Sequence, residues 1–306
     1  MDALLRKGIL GAADDPRVRR LVSKHGMRLG GSRFVAGETV DACVGVLRSL
    51  NEQGLHANTT LLGEGVRDEA AAAAVAEEYL ALVDRLADEE LRANVALKLT
   101  HLGLELGEEV AYGNVRRVVE RAQERRTFVR IDMEQSTFVD ATLRTYRRLR
   151  DEGLSAVGAV LQAYLYRTEH DLEELLPLQP NLRLVKGAYL EPPDVAYPKK
   201  ADVDAAYVRL LETMLRGGGY TAIATHDEAI IEHALSFAEK HAVPRDTFEL
   251  QMLYGVRQQL QLDLAARGYK VLVATPYGPE WYPYLMRRLG ERPANALFLL
   301  RNLARR

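Results

Sequence analysis

At 306 residues and 47 % hydrophobic, the chain is long enough to bury one full barrel core, although length alone also permits two smaller domains. Acidic and basic residues nearly balance, with 43 against 41, a net charge of −2 and a pI near 6.4. That balance, with no basic run interleaved with aromatics, excludes a nucleic-acid footprint, and the single cysteine, Cys43, excludes an intrachain disulfide framework or a cysteine-cluster metal site.

One cysteine fits a reducing compartment, so a cytoplasmic location is expected. The first residues place Asp2 beside the start and lack the apolar core of a signal peptide, so export by that route is not expected. The longest uncharged stretch, residues 153–166, has 14 residues, short of the ~20 that a membrane-spanning helix needs. Any membrane contact is therefore expected to be peripheral.

Residues 1–50 read as a helical segment that packs against the remainder of the chain: 26–37 is glycine-rich and irregular, and 40–50 has helical apolar spacing. From there to residue 306, short apolar runs alternate with longer charged amphipathic segments, switching at Gly, Pro, Asp or Asn. Strands are predicted at 59–62, 95–99, 128–133, 156–162, 183–186, 221–225, 247–251 and 270–274. Helical patterns succeed them, among others at 69–85, 109–125, 140–152, 203–215, 229–240, 256–267 and 282–301. Eight such pairs with no dividing linker predict one α/β domain over 51–306, a closed (βα)8 TIM-type barrel.

In such a barrel the reactive groups sit at the C-terminal strand ends, so a polar residue closing an apolar run marks the functional rim. Lys98, Asp132, Gln162, the pair Arg183 and Lys186, then Thr225 with His226, and Gln251 all hold such positions. Any one lysine–aspartate pair at a barrel mouth would read as a structural ion pair. Their convergence on one rim points instead to a large polar ligand. His226 has no second histidine at metal-ligand spacing, so no metal is expected, and a hydrogen bond to a bound cofactor suits it better. Asp227 reads as the cap of the next helix.

On the last helix Tyr284, Arg287, Arg288 and Glu291 fall at i, i+3, i+4 and i+7, which puts two guanidinium groups and an acid on one face. Spacing alone would describe a solvated helix face. The helix, however, comes directly after the eighth strand through Thr275-Pro276-Tyr277-Gly278-Pro279, at the functional rim. Paired guanidiniums there, with Lys98 opposite, suit a carboxylate.

Five segments carry a resemblance: Ala-Leu-Lys-Leu-Thr (96–100), Arg-Ile-Asp-Met-Glu (130–134), Arg-Leu-Val-Lys-Gly-Ala-Tyr (183–189), Ala-Thr-His-Asp (224–227) and Tyr-Leu-Met-Arg-Arg-Leu-Gly-Glu (284–291). In this order, over roughly 58–303, they resemble the proline dehydrogenase family. The resemblance implies FAD at the barrel mouth, hydride transfer from C5 of L-proline to flavin N5, and electrons passed to a membrane quinone. It implies that Lys98, Arg287 and Arg288 bind the proline carboxylate, that Tyr277 packs on the substrate ring, and that Asp132 orients Lys98. It assigns to FAD Met133, Gln162, Arg183 (near N5), Val185, Lys186, Gly187 and Ala188, together with Thr225, His226 and Gln251. Glu291 would steady the arginine helix beside the cofactor. Asp227 stands where the family often has asparagine, and the chain ends too soon after the arginine helix for the aldehyde dehydrogenase domain of bifunctional relatives. A separate pyrroline-5-carboxylate dehydrogenase is therefore the expected downstream partner. No G-x-G-x-x-G occurs, so a Rossmann dinucleotide site is not expected.

Two other readings fit part of the pattern. Lys98 or Lys186 would serve as the Schiff-base lysine of a barrel aldolase, and a non-catalytic barrel would bind an acidic metabolite without redox chemistry. Glu64, at the end of the first strand, is a further acid that would pair with an arginine and gate the site.

Overall fold

In the computed structural model, which describes residues 31–291 together with Arg20 and Met27, eight strands pair in parallel, each with the next, and the last closes on the first. Ahead of the barrel lies α1 (Val40–Glu52). The units are then β1 (His56–Leu61), α2 (Glu69–Asp88), β2 (Ala93–Leu97), α3 (Glu108–Glu124), β3 (Val129–Ile131), α4 (Val139–Asp151), β4 (Val157–Gln162) and α5 (Thr168–Leu175). They continue as β5 (Asn181–Val185), α6 (Lys200–Arg216), β6 (Tyr220–Ala224), α7 (Glu228–Lys240), β7 (Phe248–Leu253), α8 (Gln258–Ala266), β8 (Val271–Tyr277) and α9 (Trp281–Glu291).

The (βα)8 expectation is met, and all eight predicted strands are present with ends that shift by a few residues. The eight-residue α5 was not among the segments named from sequence, because two turns carry little periodicity. The predicted helix over 282–301 starts one residue earlier, at Trp281; its part beyond residue 291 lies outside the described residues. So do residues 1–30 of the N-terminal segment, apart from Arg20 and Met27. Helices start where sequence chemistry allows: Thr39 accepts from the Ala42 N–H ahead of α1, and Asp68 from the Ala71 N–H ahead of α2.

Strand side chains alternate between the helix-facing layer and the barrel interior. Thr59 and Tyr277 belong to the outer set. Thr59 Oγ1 lies 3.1 Å from Cys43 Sγ on α1, and burial pushes that thiol up to about 11. The inner set is polar well below the mouth. Arg130 is 2 % exposed and donates to the carbonyls of Ala159 (3.0 Å) and Asn181 (2.8 Å). Gly158 makes room for it: a Cβ there would stand 2.4 Å from Arg130 Nη1 and 2.5 Å from the Asn181 oxygen. Burial and the nearby Arg183 press the Arg130 guanidinium down to about 9, which leaves it charged at neutral pH.

A second apolar cluster of Phe34, Val35, Leu62, Trp281, Tyr282, Leu285 and Met286 anchors α9 at the mouth. Burying side chains such as Trp281 and Leu285, 2 % and 0 % exposed, contributes roughly 1.5–3 kcal/mol each. Trp281 Nε1 adds a 2.6 Å bond to Glu38. The arginine helix is thereby fixed from both ends of the chain.

Candidate active site

A cavity of about 850 Å³ opens at the C-terminal mouth, within the size range of small-molecule and cofactor sites. Its wall contains every residue singled out from sequence except Glu64, Tyr277 and Glu291. Tyr277 is buried in the outer core. From β8 the wall takes Ala274, Thr275 and Pro276 and stops short of Tyr277. The expected packing of Tyr277 on a ligand ring is corrected accordingly. For Glu291 only the backbone, at the end of α9, is described; its side chain lies outside the described residues.

Arg183 spans the floor. From β5 it donates to Asp132 at the end of β3 (2.7 Å) and to Asn58 on β1 (2.9 Å), and its Nε, buried at the cavity, has no hydrogen-bond partner. Asp132 thus orients Arg183. The expectation that it orients Lys98 is replaced by a different pair, because Lys98 Nζ is bonded to Glu64. Arg287 Nη1 approaches the same Glu64 oxygen at 3.7 Å. Burial acts to raise the Glu64 carboxyl, but Lys98, Arg287 and His101 outweigh it and hold the group below the usual range. Glu64 therefore does pair with an arginine, and one carboxylate bridges the end of β2 and the last helix.

On the far side, Lys186 Nζ bonds to Asp204 (2.5 Å) and Asp227 (3.0 Å), with Lys200 close to both acids. Asp227 holds the cap position of α7, as expected, but its carboxylate is turned to Lys186, whose hydrogen bond first of all keeps it below the usual range. The Thr225 hydroxyl accepts from the Asp227 N–H (3.1 Å). His226 Nε2 accepts from the Leu253 N–H (2.9 Å), which fixes the ring at the C-terminal end of β7. Gln162 gives its amide N–H to the Glu134 carbonyl (2.8 Å), so its oxygen is free to face a ligand.

Among the wall residues that sequence reasoning passed over are Asn58, Thr60 and Tyr189. Asn58 and Thr60 lie inside β1 rather than at its end. Tyr189 belongs to a segment already marked as informative, and its aromatic ring at the end of Lys-Gly-Ala-Tyr was the available signal. Burial first, then the charges of Glu134 and Glu64, push its phenol well up, so it remains a neutral donor.

Fold and cavity together define a (βα)8 barrel whose mouth offers clustered cationic donors to an anionic ligand. The family model described as Proline dehydrogenase matches residues 43–301. The chain belongs to the proline dehydrogenase family. It is 42 % identical over 307 residues to the proline dehydrogenase of Deinococcus radiodurans, covering 99 % of each chain. It is 40 % identical over 303 residues to proline dehydrogenase 1 of Bacillus subtilis strain 168, covering 99 % of this chain and 100 % of that protein. The fold is shared with proline utilization A of Bdellovibrio bacteriovorus, with a TM-score of 0.82 at 24 % identity over 94 % of this chain and 36 % of that one.

Family membership sets aside the aldolase and non-catalytic readings. The geometry agrees on the first: a Schiff-base lysine needs a neutral, unengaged amine, whereas Lys98 and Lys186 are both held by carboxylates.

Proposed function

We propose that the chain oxidises L-proline to Δ1-pyrroline-5-carboxylate with FAD as its resident cofactor. The observation that carries the substrate side is Glu64, whose single carboxylate already reaches Lys98 and Arg287. Proline's carboxylate would be taken by the same two cations and by Arg288, displacing Glu64, which then acts as the gate. Bidentate guanidinium contacts would fix the ring and leave C5 directed at the cavity floor.

The residues present fit the cofactor. The buried, unpartnered Nε of Arg183 and the amide oxygen of Gln162 supply a donor and an acceptor at the floor, and Lys186, in the same wall, would offer positive charge to the cofactor's phosphates. Met133, Val185, Gly187, Ala188, Thr225, His226 and Gln251 complete the same wall. Bound FAD supplies the acceptor for the hydride that leaves proline C5. As C5 loses hydride, the ring nitrogen loses a proton and the C=N bond forms. Arg183, pinned by Asp132 and Asn58, places fixed positive charge where negative charge grows.

Electrons would pass to a membrane quinone and the product to a separate pyrroline-5-carboxylate dehydrogenase. No helix among the described residues is long and apolar enough to cross a membrane, so we propose peripheral docking from the cytoplasmic side. The test is the visible spectrum of the purified protein under anaerobic conditions before and after proline is added. Bleaching of the flavin band is expected; a colourless protein, or a flavin that stays oxidised, would overturn the proposal.

A further inference from the structure

The inner face of β7 carries Glu249 below Gln251. Glu249 is 2 % exposed and is not part of the cavity wall. One of its oxygens accepts from Gln251 Nε2 at 2.5 Å. The other accepts from the Tyr220 hydroxyl and from Lys270 Nζ, both at 2.8 Å. The Lys270 side chain is 41 % exposed at the opposite mouth, so the chain of contacts runs from the cavity to the far end of the barrel.

The polarity of this chain is set by chemistry. An ionised carboxylate only accepts, so the Gln251 amide must turn its NH2 down to Glu249 and its oxygen the other way. Gln251 lines the cavity. We infer that Glu249 is a positioning residue for the cofactor: held from below by Lys270 and Tyr220, it fixes the Gln251 amide with its oxygen toward the ligand, where it accepts a ring N–H of the bound flavin. Gln162 is set in the same sense by the Glu134 carbonyl, so two amide oxygens serve the floor. Burial works against the charge on Glu249, but Lys270, Gln251 and Arg130 outweigh it and hold the carboxyl below the usual range. The amide therefore stays pinned at neutral pH.

This inference rests on the reading that the cavity takes a flavin, and a double-mutant cycle separates the two. FAD is titrated onto deflavinated full-length protein, with fluorescence quenching as the readout, for the wild type, Gln251→Leu, Glu249→Gln and the double variant. The visible band of each loaded protein is recorded as well. Each single change is expected to weaken FAD binding by roughly tenfold, the worth of one hydrogen bond, and to displace the band. Because Glu249 acts only through Gln251, the double variant is expected within about twofold of Gln251→Leu. Multiplying effects, or a Glu249→Gln protein with unchanged affinity and band, would overturn the inference. Where Glu249→Gln does not fold, Tyr220→Phe loosens the carboxylate from below. It is expected to displace the band less, and not at all in the Gln251→Leu background; no displacement in the native background overturns the inference. Wild-type protein that binds no FAD would overturn the cofactor reading itself, and the inference with it.

Discussion

Replacing Asp132 by asparagine tests the central ion pair of the site. Asp132→Asn keeps the shape but removes the charge facing Arg183, whose side chain is 9 % exposed against 24 % for Asp132. Stripping the partner from a fully buried charge costs about 3–5 kcal/mol. Here the cost is lower, because Asp132 is partly solvated and Arg183 keeps its 2.9 Å bond to Asn58. A loss of about 1–3 kcal/mol is expected, read by urea unfolding of the ligand-free protein. Flavin reduction by proline, monitored in a stopped-flow instrument, is expected to slow by about tenfold or more as Arg183 loses its fixed position. The KM for proline is expected to move little, since Lys98 is held by Glu64 and not by Asp132. A variant with native stability and rate would refute the assignment, and one whose only defect is a raised KM would return Asp132 to Lys98.

Replacing either Arg287 or Arg288 by methionine is expected to raise the KM for proline by at least about tenfold in steady-state assays, through loss of a charged contact to the carboxylate. Gly187→Ala is expected to destabilise the protein by about 1–3 kcal/mol in thermal unfolding, because φ is +117° and a Cβ would stand 2.3 Å from the Tyr164 ring. Burial, then Lys98, pushes buried His101 down to about 4, against about 6.5 unfolded. Its folded value is depressed, so its contribution is complete above about pH 6.5 and drains away as pH falls to about 4. That amounts to about 3 kcal/mol, and His101→Gln is expected to flatten this acid limb in pH-dependent unfolding. The Glu64 carboxyl is also depressed, so any stability difference between wild type and Glu64→Gln is expected above about pH 4.3 and to vanish in more acid solution.

The barrel was legible because parallel strands buried on both faces leave dense apolar runs, and a polar residue closing such a run stands out. Lys98, Asp132 and Arg183 were therefore found one by one. Their pairing was not, because β5 lies across the barrel from β1, and the Arg183–Asn58 contact joins residues 125 positions apart. Arg130 and Glu249 escaped notice for a related reason: they lie inside strands, where charge is unexpected until a neighbour such as Gly158 is seen to leave room. The place of Tyr277 was not legible either, because Thr275, two residues before it, lines the cavity while Tyr277 packs into the apolar core.

The charged filling around Arg130 also bears on how the protein responds to heat. Many barrels close their lower half with layers of branched aliphatic side chains, whose stabilising effect levels off as temperature rises. An ionic plug behaves differently, because the hydration that competes with it weakens on warming. The floor under the ligand would then lose less of its rigidity with temperature than the apolar layer between strands and helices. One absent methyl group, at Gly158, is the steric condition for that arrangement.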